Sequence, residues 1–147
     1  MSPGPADGTR PTLDLTVLPD ALAICRLPGG AAAPHWLAGE AFASVTRTPE
    51  ETSVVCRVAV VPQGARAETG WRALRVAGPL DFALTGVLLS LLGPLAAAGI
   101  SVFALSTFDT DVVLVREAAL EEAIVALAAA GHRIARSTAV GGARGEG

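Results

Sequence analysis

From Phe82 to Phe108 the chain carries no ionisable side chain. A stretch this apolar must either cross a membrane or lie inside a protein core, and its punctuation decides between the two. Gly86, Gly93, Pro94 and Gly99 interrupt it, and the β-forming run "ISVFALS" follows Gly99. The spacing predicts a buried helix that Gly99 ends as a left-handed cap residue, and then a buried strand. A membrane span is the lesser reading, because the flanking arginines give no positive-inside pattern.

The surrounding segments extend this pattern. "WRALRVAG" (71–78) alternates as a strand, Pro79 breaks it, and Asp81 is placed to cap the helix through "FALTGVLLSLLGPLAAA". "ISVFALST" and "DVVLVRE" read as two strands joined by a short turn. "AALEEAIVALAAAG" is a helix with Leu120, Ile124 and Leu127 on one face and Gly131 at its end, and "HRIARS" is a last edge strand. Strand, helix, strand, strand, helix, strand is the ferredoxin-like order: an α+β fold, with an antiparallel sheet and both helices on one face.

The first half is less regular. "LDLTVLP" alternates as a half-buried strand, "ALAICRL" follows a tight Pro-Asp turn, "PGGAAAP" is a loop and "HWLAG" one short helical turn. "FASVTRT" and "TSVVCRVAVV" are strands around "TPEE", which looks like a first helical turn with Thr48 as cap and Pro49 at the first helical position. Laying "ASVTRTPEETSVV" under "FALSTFDTDVVLV" pairs Thr46 with Ser106, Thr48 with Phe108 and Glu51 with Asp111. The first half thus reads as a degenerate copy of the second. The expected organisation is a disordered Pro/Gly-rich start (1–11), the degenerate half (12–62), a polar linker (63–70), the regular domain (71–137) and a disordered Gly-rich end (138–147).

Composition removes whole function classes. With 51% apolar and 17% charged residues the chain is a packed globule, and a net charge of −3 offers no field for nucleic acid. The 11 basic residues are all Arg, which carries no functional inference. Cys25 and Cys56 sit in apolar runs and read as buried free thiols of a cytoplasmic protein; with two Cys and two His at unrelated spacing, neither a metal nor another cofactor is expected. A triad assembled from Ser106, His132 and Asp111 has no nucleophile turn to support it, and both His residues fall at element ends where packing explains them. Catalysis ranks below binding.

The polar turn "STFDTD" in this apolar setting is the remaining feature. Together with "VAGPLDFALTG", "SVTRTPEETSVVC" and "AGISVFALSTFDTDVVLV", it resembles an ACT domain, and more narrowly the tandem-ACT family of CASTOR-type cytosolic arginine sensors and their small bacterial relatives. The resemblance implies a non-enzymatic sensor that binds an amino acid or close analogue between adjacent ACT domains. It implies that Gly78 and Asp81 frame the ligand, that Phe82 and Gly86 line the helix side, and that Thr107, Phe108 and Asp111 close the pocket. Ser101 and Val102 would contact the ligand of the neighbouring domain, so that one pair per chain calls for a homodimer. Asp81 and Asp111 converging on one solute favour a cationic group, either an α-ammonium or a guanidinium. The rival reading is a ligand-free dimerisation module; a regulatory protein partner is open in either case.

Overall fold

The computed structural model describes residues 11–80 and 85–137, which form eight strands and two α-helices. In chain order these are β1 (Asp14–Val17), β2 (Leu22–Pro28), β3 (Ser44–Arg47), β4 (Glu51–Arg57), β5 (Ala67–Val76), α1 (Val87–Ala97), β6 (Val102–Ser106), β7 (Asp111–Arg116), α2 (Leu120–Ala129) and β8 (Arg133–Arg136). They fall into two compact units, one of residues 20–72 and one of residues up to 19 together with those from 73 onward. Expectations that fall on 1–10, 81–84 and 138–147, among them Asp81, Phe82 and the two Gly-rich termini, lie outside the described residues.

The unit containing both helices runs β6-β7-β5-β1-β8. Alternation along its strands turns Leu13, Leu15 and Val17, Leu74 and Val76, and Val113 and Val115 to one face. There they pack against Val87, Leu91 and Leu95 of α1 and Leu120, Ala123 and Leu127 of α2. Both helices therefore cover a single face, as the ferredoxin-like order requires. One strand is added to that order. β1 pairs antiparallel with β5 and parallel with β8, and so sits between the strands that open and close the βαββαβ series. Asp14 and Arg133 face each other in that parallel register and form a two-point ion pair, Nε to Oδ1 at 2.5 Å and Nη2 to Oδ2 at 3.1 Å. The bond from Arg133 holds the Asp14 carboxyl below its ordinary range.

The second unit carries four strands in the order β3-β4-β2-β5, with β5 entering through Ala67, Glu68 and Trp71. This is the ferredoxin sheet order with the helices gone: a 3-10 turn at His35–Leu37 and another at Val58–Val60 stand where helices would connect the strands. Ala23, Cys25, Val54 and Cys56 form its core, with Trp36, Leu37 and Val58 packed over them. Both thiols are free and buried; burial pushes Cys25 up and, with Cys25 beside it, raises Cys56 to about 12. No helix among the described residues is long and apolar enough to cross a membrane.

Three sequence expectations are corrected. The helix read from Asp81 starts at Val87, with Gly86 as N-cap at φ +83°, a left-handed conformation that suits glycine. "TPEE" is not a helical turn but the tip of the β3-β4 hairpin, although Thr48 does cap it: its Oγ1 accepts the Glu50 and Glu51 N–H groups at 3.2 and 3.0 Å. His132, read from sequence as surface or edge packing, is buried, with 5% of its surface exposed.

Candidate functional site

The site begins where β5 ends. Beyond Val76 the chain turns through Ala77 and Gly78, and the β6-β7 hairpin turn lies directly against it. A Cβ at Gly78 would come within 2.9 Å of the Asp109 carbonyl oxygen and 3.2 Å of Thr110 Cβ, so only glycine permits this approach. Two hydrogen bonds close the contact. The Leu80 N–H donates to the Asp109 carbonyl at 2.6 Å, and the Thr110 hydroxyl donates to the Val76 carbonyl at 2.6 Å. The glycine turn and the hairpin turn therefore form one rim.

Within the hairpin, Thr107 orders the turn. Its N–H donates to the Thr110 carbonyl at 2.8 Å, and its Oγ1 accepts the Thr110 N–H at 3.1 Å. Ser106 and Asp111 are directly opposed in register, and the Ser106 hydroxyl donates to Asp111 Oδ1 at 2.6 Å. One lone pair of the carboxylate is taken by this bond, and Oδ2 is left for a cation or an N–H donor. Phe108 stands at the tip, 80% exposed. On the helix side, Gly86 is the N-cap residue of α1.

Of the residues singled out from sequence, Gly78, Thr107, Phe108 and Asp111 share this rim, and Gly86 opens α1. Ser101 and Val102 do not join them. Val102 begins β6 and Ser101 immediately precedes it, whereas the rim lies at the other end, by Ser106, about 13 Å from Val102 along the strand at ~3.3 Å per residue. Asp81 and Phe82 fall outside the described residues. Sequence reasoning missed Leu80, Asp109 and Thr110, whose contributions are a backbone N–H, a carbonyl and a hydroxyl aimed at backbone; only the repeated Thr of "TFDT" hinted at the last.

The β3-β4 hairpin repeats this construction, one residue out of step with the alignment read from sequence. The Thr48 N–H donates to the Glu51 carbonyl at 2.8 Å, as that of Thr107 does to Thr110, and Thr48 Oγ1 accepts the Glu51 N–H as Thr107 Oγ1 accepts that of Thr110. Thr48 therefore matches Thr107, and Glu51 matches Thr110. Gly29 takes the part of Gly78, since a Cβ there would collide with the Pro49 carbonyl oxygen. The acid does not recur: the position of Asp111 is held by Thr52, fully buried, whose hydroxyl donates to the Ala31 carbonyl at 3.2 Å. Position for position, the first rim is closed where the second offers a carboxylate.

Comparisons with known proteins bear on the family and the fold. A family model described as an ACT domain matches residues 66–129, and a model of an N-terminal domain matches 20–64. The crystal structure of protein Atu0741 from Agrobacterium tumefaciens is 38% identical, covers 90% of this chain and 99% of its own, and superposes with a TM-score of 0.83. The human cytosolic arginine sensor for mTORC1 subunit 1 is 48% identical over 48 residues, which are 32% of this chain and 15% of the sensor. The ligand-free regulatory subunit of aspartate kinase from Thermus thermophilus shares the fold at 14% identity, with a TM-score of 0.53 over 76% of this chain and 93% of that one.

Proposed function

The chain belongs to the ACT-domain family, and from that premise we propose that it is a regulatory protein that binds a free amino acid or a close analogue and performs no catalysis of its own. The observation that carries this reading is the single rim made by the two turns, with the Leu80 N–H on the Asp109 carbonyl and no room for a side chain at Gly78. A rim held by backbone bonds is pre-organised, so little ordering cost opposes binding. Asp111, oriented by Ser106, takes the ligand's cationic group.

Ser101 and Val102 lie at the far end of β6 and serve the site of a second copy, so each chain of a homodimer completes its partner's pocket. The name of the human relative adds arginine to the amino acids to be tried first. A regulatory protein partner in the cytoplasm would read the bound state; neither nucleic acid nor membrane is a partner. The second reading, a ligand-free dimerisation module, draws on β6 alone, a strand whose one sheet neighbour among the described strands is β7.

A thermal-shift screen against the free amino acids separates the two. A ligand at about 100 times its Kd adds ~2.7 kcal/mol, on the order of 5 °C in Tm for a domain of this size. A transition that no amino acid moves at millimolar concentration refutes the sensor reading.

A further inference from the structure

The unit of residues 20–72 holds a groove of about 240 Å³, lined by Ile24, Arg26, Glu51, Ser53, Arg66 and Glu68 among others. At ~30 Å³ per water this is room for about eight waters, enough for a small organic solute. Its charges are arranged in a row. The Arg26 N–H donates to the Arg66 carbonyl at 2.9 Å, which makes the two arginines neighbours across adjoining backbone, and Ser53 faces Arg26 directly in the β2-β4 register. Arg26 uses one guanidinium donor on the Glu50 carbonyl at 3.0 Å. Among the described residues neither guanidinium meets a carboxylate in an ion pair, and the Glu51 carboxylate meets no cation.

Arg26 and Arg66 thus set two like charges side by side, and among the described residues neither is drawn into an ion pair. Here they persist beside a hydroxyl donor, an arrangement that suits a carboxylate received by forked guanidinium donors. Yet Glu51 and Glu68 border the same groove, so a plain anion meets repulsion from them and a plain cation meets repulsion from the arginines. A solute carrying both charges satisfies both sides. We propose that this groove is a second small-molecule site, for a compact zwitterion of the α-amino acid class, with its carboxylate on Arg26, Arg66 and Ser53, its ammonium toward Glu51, and its side chain against Ile24. The site shares no residue with the rim around Gly78 and Asp111 and stands or falls independently of it.

The test is an amide ¹⁵N NMR titration of the full chain with L-alanine, with propionate and ethylamine as single-charge controls. L-Alanine should give saturable shifts at the amides of Arg26, Ser53, Arg66 and Ala67, with a millimolar Kd, and each control should bind at least ~10-fold more weakly. Arg66→Gln and Glu51→Gln should each weaken L-alanine about 10-fold or more, as the loss of one charge-assisted contact does. Neither side chain makes a hydrogen bond or ion pair that the fold needs, so the rest of the spectrum should be unchanged. Asp111→Asn, which tests the other site, should leave these shifts as they are. The proposal is overturned if no saturable shift reaches these amides by about 50 mM L-alanine, if propionate or ethylamine binds as tightly, or if Arg66→Gln titrates like the wild type.

Discussion

His132 makes the hydrogen bond that Pro94 leaves open. Pro94 lies inside α1 and has no N–H, so the carbonyl of Ser90, four residues earlier, has no donor within the helix. The His132 ring supplies one: Nε2 lies 2.9 Å from that carbonyl, while Nδ1 accepts the Leu13 N–H at 3.1 Å. With Nδ1 an acceptor, the ring proton is on Nε2, and one buried imidazole ties β1, α1 and the end of α2 together. His132→Phe keeps the volume but leaves a buried carbonyl and a buried N–H without partners. It should cost about 2–4 kcal/mol by urea unfolding, at ~1–2 kcal/mol for each orphaned group. In a Pro94→Ala background, where the restored backbone N–H can donate to the Ser90 carbonyl, the loss should shrink by about 1 kcal/mol; strict additivity of the two changes would show that the coupling does not exist.

That pairing also marks the limit of what the sequence discloses. The βαββαβ order, the Leu120 and Leu127 face of α2 and the buried thiols were legible because each depends on local period or composition. The role of His132 was not, since it answers a vacancy 38 positions earlier in the chain. The start of α1 was misplaced for a related reason. Asp81 is a better cap by type than Gly86, but the left-handed turn at Gly86, which only backbone geometry discloses, sets the first helical residue. The rim was half legible: the polar residues of "STFDTD" were visible, whereas the contact of Leu80 with Asp109 is made by backbone atoms that every residue possesses.

Gly78 and Gly93 should respond to alanine in opposite directions. At Gly78 the new methyl meets the Asp109 carbonyl at 2.9 Å, and the rim must open to admit it. Gly78→Ala should cost about 1–3 kcal/mol and weaken the ligand. Gly93 lies within α1 with nothing within 4 Å of an added Cβ, so Gly93→Ala should gain about 0.5–1 kcal/mol from helix propensity without touching affinity. Thermal denaturation of the two variants, side by side, checks the sign of each.

The thiols predict an alkaline limit. Burial raises Cys56 to about 12 from an ordinary 9, and Cys25 moves in the same direction. Below pH 9 both states hold these protons and stability does not depend on them. Above it the unfolded chain releases protons that the folded chain keeps, so stability falls as pH rises from 9 toward 12. Cys25→Ala/Cys56→Ala should flatten that decline relative to its own value at pH 7. In the native protein at pH 8 a thiol reagent should label neither residue until denaturant is added; rapid native labelling would contradict the buried geometry.

Asp111 is the acid that the second rim has and the first lacks. Asp111→Asn retains the size and an acceptor for the Ser106 hydroxyl but removes the charge, and should weaken a cationic amino acid by about 10- to 100-fold, or ~1.5–3 kcal/mol, with Tm of the free protein nearly unchanged. Calorimetric titration reads the affinity directly. Unaltered affinity would make Asp111 a turn residue only, and a large fall in Tm would make it a structural one.

The dimer is tested by mass and then by complementation. If each pocket joins the rim of one chain to Ser101 and Val102 of the other, light scattering should give about twice the 14.8 kDa chain mass. Ser101→Arg, at an exposed position, should abolish binding without unfolding the chain. The decisive experiment mixes two proteins that each bind poorly or not at all. An Asp111→Asn chain still offers a native Ser101, and a Ser101→Arg chain still offers a native rim, so a heterodimer of the two has one intact pocket and one doubly altered pocket. After random subunit exchange about half the dimers are mixed, and about a quarter of all sites should bind ligand with wild-type affinity. A pocket contained within one chain cannot be restored in this way, because each chain carries its own defect wherever it goes. Recovery near a quarter thus requires residues from two chains in one site, whereas no recovery after demonstrated exchange places the ligand within a single chain.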